Sequence, residues 1–319
     1  MPRPRRARLT VAGIVAVQVA LLPACARAQA REGGDAARPT RATVDTTALR
    51  RSLDSLAGAH RGVVGYTVVD VDGGARLSRR GDETFPTASL IKVPVLVTVF
   101  DLVAQGRLSL DDRLTVLKID KVPGSGQLQH LHDGAVITVR DAAWLMTTIS
   151  DNTATNLLLD RIIIRRVWEK MEALGLENTK VHSKTFLRSS SVAMDSSVKY
   201  GLGVTTPNEM AQLFGLMAQS KAVSASADST MLDILEHNTY SAMLPRFIPG
   251  VRIAHKDGET DQVRTNCGLM RLQSRVTLCV MTRENQDRRW IVDNSAQVMI
   301  ARMAEAVANA WPRLPQADR

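Results

Sequence analysis

Ser89 and Lys92 stand three residues apart at the head of an apolar run, in Phe85-Pro86-Thr87-Ala88-Ser89-Leu90-Ile91-Lys92. On a helix, residues at this spacing are neighbours. A serine hydroxyl is a weak nucleophile until a base takes its proton, and a lysine stripped of water has its pKa lowered toward that task. A helix N-terminus adds free N–H groups and the positive end of a dipole, which favour negative charge developing beside Ser89. The chemistry such a pair suggests is acyl transfer through a serine ester. Alone the motif is weak, because a serine cap followed by an exposed lysine is the commoner arrangement.

Two further clusters follow in order. Ser150-Asp151-Asn152 lies in Thr148-Ile149-Ser150-Asp151-Asn152-Thr153-Ala154-Thr155-Asn156, a polar stretch between two apolar helical runs, whose plain reading is an Asn or Ser helix cap. His255-Lys256-Asp257-Gly258 closes a strand candidate, where a lysine before a turn is ordinarily a solvated strand end. Each has a plain explanation. The three together, on a helix start, an interhelical loop and a strand, argue against coincidence.

The elements that must position them are legible from periodicity. A helix is predicted over 46–59, with Leu49, Leu53 and Leu56 on one face, and strands over 63–71 and 75–80 flank the Asp72-Gly73-Gly74 turn. Helices are predicted over 90–104, near 138–148, and over 152–164, 166–174 and 207–218. Strands return at 251–256, 263–271 and 275–282, before a closing helix over 290–310. Strands at both ends of the chain around a helical middle predict an α/β (α+β) fold. Its antiparallel sheet is built from N- and C-terminal strands packed with helices, and an all-helical lobe is inserted.

At 319 residues and 45% hydrophobic, the chain has enough apolar material for one large domain or two intimately packed lobes. Residues 1–30 read as an export signal: Arg3, Arg5, Arg6 and Arg8 precede an apolar run from Leu9 to Leu22, and Ala28-Gln29-Ala30 gives a small-x-small cleavage pattern. The run is shorter than the roughly 20 residues that span a bilayer. A mature start near Arg31 and a periplasmic or secreted location are expected, with a lipoprotein site at Cys25 as the alternative. Residues 31–45 predict a flexible leader, 46–312 the folded domain and 313–319 a tail.

Removing five of the 41 basic residues with the signal leaves 36 against 32 acidic ones, so the formal charge of +9 overstates the basicity of the working protein. No clustered basic stripe is present, and only 4% of residues are aromatic, which excludes a nucleic-acid partner. The six histidines lack zinc-ligand spacing, and His130 and His132 read as a polar loop. Cys267 and Cys279 flank a predicted turn at Leu272-Gln273-Ser274. Two readings stand, a cross-strand disulfide or two small buried apolar residues.

With these motifs in order, the chain resembles the class A β-lactamase family and, more closely, its wider set of penicillin-recognising serine hydrolases. The resemblance covers about residues 46–312 and includes Asn156-Leu157-Leu158 and Thr205-Thr206-Pro207. It implies that Ser89 is acylated, Lys92 accepts its proton, and Ser150 relays a proton to the leaving nitrogen, assisted by Lys256. It further implies that Asn152 binds the substrate's side-chain amide and Lys256 attracts its carboxylate. The N–H groups of Ser89 and Glu259, beside Gly258, would form the oxyanion hole, with Arg264 near the carboxylate. It implies no cofactor, no metal, no stable membrane span and a monomer acting on a small β-lactam or cell-wall peptide. A D-alanyl-D-alanine peptidase-like enzyme, or a covalent β-lactam or muropeptide sensor with slow deacylation, is the alternative.

Two positions depart from the family. Thr185 stands where its β-lactamases carry the glutamate that activates the deacylating water, and no glutamate occurs between Glu177 and Glu209. Asp195 would substitute only if the loop folds differently. Asp257 replaces a hydroxyl residue, and an ionised aspartate there repels a substrate carboxylate unless Lys256 neutralises it or burial protonates it.

Overall fold

The computed structural model describes residues 44–311. The predicted signal with Cys25, the leader up to residue 43 and the tail lie outside the described residues. Helix α1 (Thr46–Ala59) leads into the strands β1 (Val63–Asp70) and β2 (Arg76–Arg79). Then β3 (Phe85–Pro86) and a 3₁₀ turn, Ala88–Ile91, run into α2 (Lys92–Ala104). The middle of the chain holds β4 (Arg113–Val116), β5 (Ala135–Thr138), α3 (Val139–Thr148), α4 (Asn152–Ile162), α5 (Ile164–Ala173), β6 (Lys180–Val181), α6 (Met194–Tyr200), β7 (Gly203–Thr205), α7 (Pro207–Ala218) and α8 (Ala225–Glu236). Strands β8 (Ile253–Thr260), β9 (Val263–Arg271) and β10 (Arg275–Arg283) and helix α9 (Ser295–Ala310) complete it.

The main sheet is antiparallel, in the order β2-β1-β10-β9-β8, so strands from both chain ends pair as expected. Alternation along the strands sends side chains to two different cores. Val276, Leu278 and Val280 of β10 face a layer made with α1 and α9, including Leu49, Leu53, Ile300 and Met303. Cys279 and Met281 face the helical lobe, where α2, α4 and α7 supply Leu96, Leu158 and Phe214. Helix α2 is buried nearly all round, from Lys92 to Phe100, as a central helix must be. Cys267 and Cys279 pair directly across β9 and β10 and are joined as a disulfide, both fully buried against that lobe.

Several elements differ from expectation. Strand β8 does not stop at Lys256 but runs on to Thr260, so the Lys256-Asp257-Gly258 segment lies within a strand. The closing helix begins at Ser295 rather than 290, because Asn294 caps it through Ala296 N and Asp287 accepts from Ser295 N. Helix α8 and the β4–β5 pair were not foreseen.

Candidate active site

Ser89 sits in the 3₁₀ turn that opens α2, held from both sides. Phe85 and Pro86 pair with Thr205 and Val204 of β7, and Thr87 N donates to Gly203 O at 3.1 Å. From the sheet, Gly258 of β8 presses against the same turn: a Cβ there would lie 2.9 Å from Leu90 N, 2.7 Å from Thr265 Oγ1 and closer still to Thr87 O. Only glycine allows this approach. Thr87, not Ser89, occupies the cap position before the turn. Ser89 is half-buried and lines a cleft of about 840 Å³ together with Ser150, Asn152, Thr185, Asp257 and Glu259.

Lys92 is buried and its Nζ lies within hydrogen-bond distance of Ser150 O at 2.7 Å, Asn152 Oδ1 at 2.9 Å and Ser150 Oγ at 3.1 Å. Burial first, and the positive charge of Lys256 second, push its pKa well below the usual lysine value, against the opposing pull of Asp257 and Asp151. That is the direction a proton acceptor needs.

The loop carrying Ser150 is fixed by its neighbour. Asp151 caps α4, accepting from Ala154 N at 2.9 Å, and also takes Gln127 N at 2.6 Å and Leu128 N at 2.9 Å. The helix cap expected of Ser150 or Asn152 is therefore supplied by Asp151, which lies between them. Ser150 adopts φ +57°, and two other cleft residues, Ala88 (+45°) and Phe186 (+57°), also have left-handed backbones. Among the described residues these are three of seven non-glycine positions with positive φ. Such strain persists only where surrounding contacts impose it.

Lys256 is fully buried and donates to Asp257 Oδ1 at 2.9 Å and Asp257 O at 3.0 Å. Burial favours a neutral Asp257, but the charge of Lys256 and the amide of Asn238, 3.0 Å from Oδ1, prevail and hold its pKa at about 2. Of the two ways to accommodate this aspartate, neutralisation by Lys256 is the one observed. Glu259 turns its carboxylate toward Tyr240 OH and Gln297 Nε2, both at 2.6 Å.

Arg264 is not brought to the cleft. It is fully buried, bonded to the carbonyls of Thr260, Val263 (2.9 Å) and Arg289 (3.2 Å), and stacked 4.7 Å from the ring centroid of Trp290, which does line the cleft. Asp195 is exposed on α6 and absent from the cleft lining. Thr185 does line it, and its hydroxyl is spent on Asn156 Oδ1 at 2.6 Å and Asn152 O at 3.2 Å. Asn238, Phe186 and Trp290 were not anticipated, since no local motif marks them. His130 and His132 are exposed, and among the described residues no cluster of three His, Cys, Asp or Glu is arranged for a metal ion.

A family model for the beta-lactamase enzyme family matches residues 48–311. Beta-lactamase L2 of Stenotrophomonas maltophilia is 32% identical over 154 residues, 48% of this chain and 49% of that protein. The chain thus spans about half the length of this curated relative. Among solved structures, a β-lactamase of Sphaerobacter thermophilus superposes with TM-score 0.74 at 29% identity, over 84% of this chain and 98% of the other. A variant of PBP-A, captured as an acyl-enzyme complex with penicillin G, superposes with TM-score 0.73 at 28% identity over 83% and 96%.

Proposed function

We propose, from the premise that the chain belongs to the beta-lactamase enzyme family, that it is a class A-like serine hydrolase opening β-lactam amides through an acyl-enzyme on Ser89. Ser89 Oγ attacks the amide carbonyl while neutral Lys92 takes the hydroxyl proton. Ser150, hydrogen-bonded to Lys92 at 3.1 Å, relays a proton to the leaving nitrogen as the C–N bond breaks. The negative oxygen is received by the N–H groups of Ser89 and Glu259, a term of roughly 3 to 4 kcal/mol per donor. Support for the second donor is that β8 is an edge strand, whose outward N–H groups have no strand partner. Asn152 contributes its amide to the substrate side chain. The observation that carries this reading is the buried Lys92, depressed in pKa and bonded to Ser150 at the edge of the cleft that holds Ser89.

Thr185 favours slow deacylation, because a hydroxyl already donating to Asn156 offers no base for water. This supports the second reading, a cell-wall peptidase-like enzyme or covalent sensor that penicillins trap. The N-terminal arginines, apolar run and Ala28-Gln29-Ala30 support export to the periplasm or medium. A chromogenic cephalosporin tests the whole: the protein gives a burst of one equivalent followed by slow turnover, and Ser89→Ala gives neither. A burst that survives Ser89→Ala contradicts the proposal.

A further inference from the structure

The β8 wall of the cleft carries carboxylates and no available cation. Asp257 and Glu259 line it, whereas Lys256 and Arg264 are both fully buried and absent from the lining. Lys256 is bound to Asp257 itself, through Oδ1 and the main-chain oxygen. The amide of Asn238 fixes the carboxylate from the other side. Arg264 is held by three carbonyls behind the Trp290 ring, and its Nε lies 3.4 Å from Glu259 Oε1, so Glu259 has a buried cation of its own as Asp257 has Lys256. Trp290, 61% exposed, adds an aromatic surface to the same wall, anchored by Nε1 to Asp261 at 2.9 Å. The cation of the cleft lining without an ion pair among the described residues is Arg188, which belongs to the segment after Thr185; Lys184, also on that segment, is bound to Asp160.

We infer that Asp257 is a specificity-determining residue that makes this end of the cleft take leaving groups that are uncharged or cationic faster than those bearing a carboxylate next to the scissile bond, so that penicillins, which bear one, acylate Ser89 but slowly. A carboxylate placed here meets the fixed charge of Asp257 and competes with it for Lys256, whose charge is already met within the same strand. An ammonium or amide instead has no need of Lys256, meets carboxylates that are already paired, and can lie against the Trp290 indole, a face that favours a cation. The inference rests on the acyl-transfer reading above and names the substrate class for that site. Acylation follows the same course as for the amide: the bond from Ser89 Oγ to the acyl carbon forms, the bond to the leaving atom breaks, and the serine proton passes to the leaving group.

Three thioesters of one phenylacetylglycyl group test it, differing only in the leaving thiol: thioglycolate, thioglycolamide or thiocholine. Released thiol and the mass of the Ser89 adduct are followed in a single turnover. The neutral and cationic thioesters are expected to acylate Ser89 at least tenfold faster than the thioglycolate ester. In Asp257→Asn, which keeps the shape and frees Lys256, and in Asp257→Thr, that ratio falls tenfold or more. Faster acylation by the thioglycolate ester in the unaltered protein overturns the inference alone, as does a ratio unchanged in both folded variants. Absence of a Ser89 adduct from all three esters overturns the proposed function, and the inference with it.

Discussion

Replacing Gly258 by alanine forces β8 away from the turn that carries Ser89. The added Cβ would lie 2.9 Å from Leu90 N, 2.7 Å from Thr265 Oγ1 and nearer still to Thr87 O, where ordinary contact begins at 3.4 Å. The strand or the helix start must withdraw, and a displacement of about 1 Å at reacting groups costs about 10²-fold in rate. Loss of one oxyanion donor costs about 10² to 10³. Acylation by a β-lactam should therefore fall by about two orders of magnitude, read as adduct formation by intact mass over seconds to minutes. Gly268→Ala is the control. Its Cβ would press on Ala254 O and His255 Cβ at 2.6 Å, an equal overpacking away from Ser89. Both variants should lose about 1 to 3 kcal/mol of stability, read by thermal melts, and only Gly258→Ala should lose acylation rate. A folded Gly258→Ala protein that melts like the control yet acylates within threefold of the unaltered rate refutes the reasoning.

Lys92→Arg retains a positive charge that cannot be given up near neutral pH, so acylation should drop by at least about 10²-fold. In the unaltered protein the acylation rate should rise with pH as Lys92, depressed by burial and by Lys256, loses its proton; a rate that falls as the pH is raised from acid toward neutrality contradicts its role. Thr185→Glu should hasten decay of the acyl-enzyme about 10- to 100-fold, below the full range for a general base because burial raises the new carboxyl's pKa. An unchanged adduct lifetime shows that position 185 does not face the deacylating water. Replacing both Cys267 and Cys279 by alanine should cost up to about 3 kcal/mol, the chain-entropy value for a loop of this size, without altering adduct yield; a melt that does not move contradicts it.

What the sequence revealed and what it hid divide along the range of the interactions. Ser89 and Lys92 are three residues apart on one turn, a local spacing the sequence shows, whereas the partners of Lys92, Ser150 and Asn152, lie some 60 residues on. The β-branched residues of β1 and β10 announced strands at both chain ends. Strand β8 was cut short because Gly258 reads as a breaker, whereas its missing side chain serves contact with Thr87 and Leu90, some 170 residues earlier in the chain. The state of Asp257 depends on Lys256 beside it and on Asn238, which lies after a helix whose pattern gave no signal. Arg264 faces the carbonyls of its own turn and of Arg289, a direction set by tertiary packing that no spacing rule conveys. The turn at Leu272-Gln273-Ser274 already sets the two cysteines opposite each other, but directly opposed strand positions often give poor disulfide geometry, so only the structure decided that they are bonded.

Incubation with benzylpenicillin, followed by intact-mass spectrometry and peptide mapping from seconds to hours, addresses Ser89 itself. A single adduct of the drug's full mass is expected on the peptide containing Ser89, persisting long after excess drug is removed and absent from Ser89→Ala. An adduct on another residue, or none in a folded protein, contradicts the account.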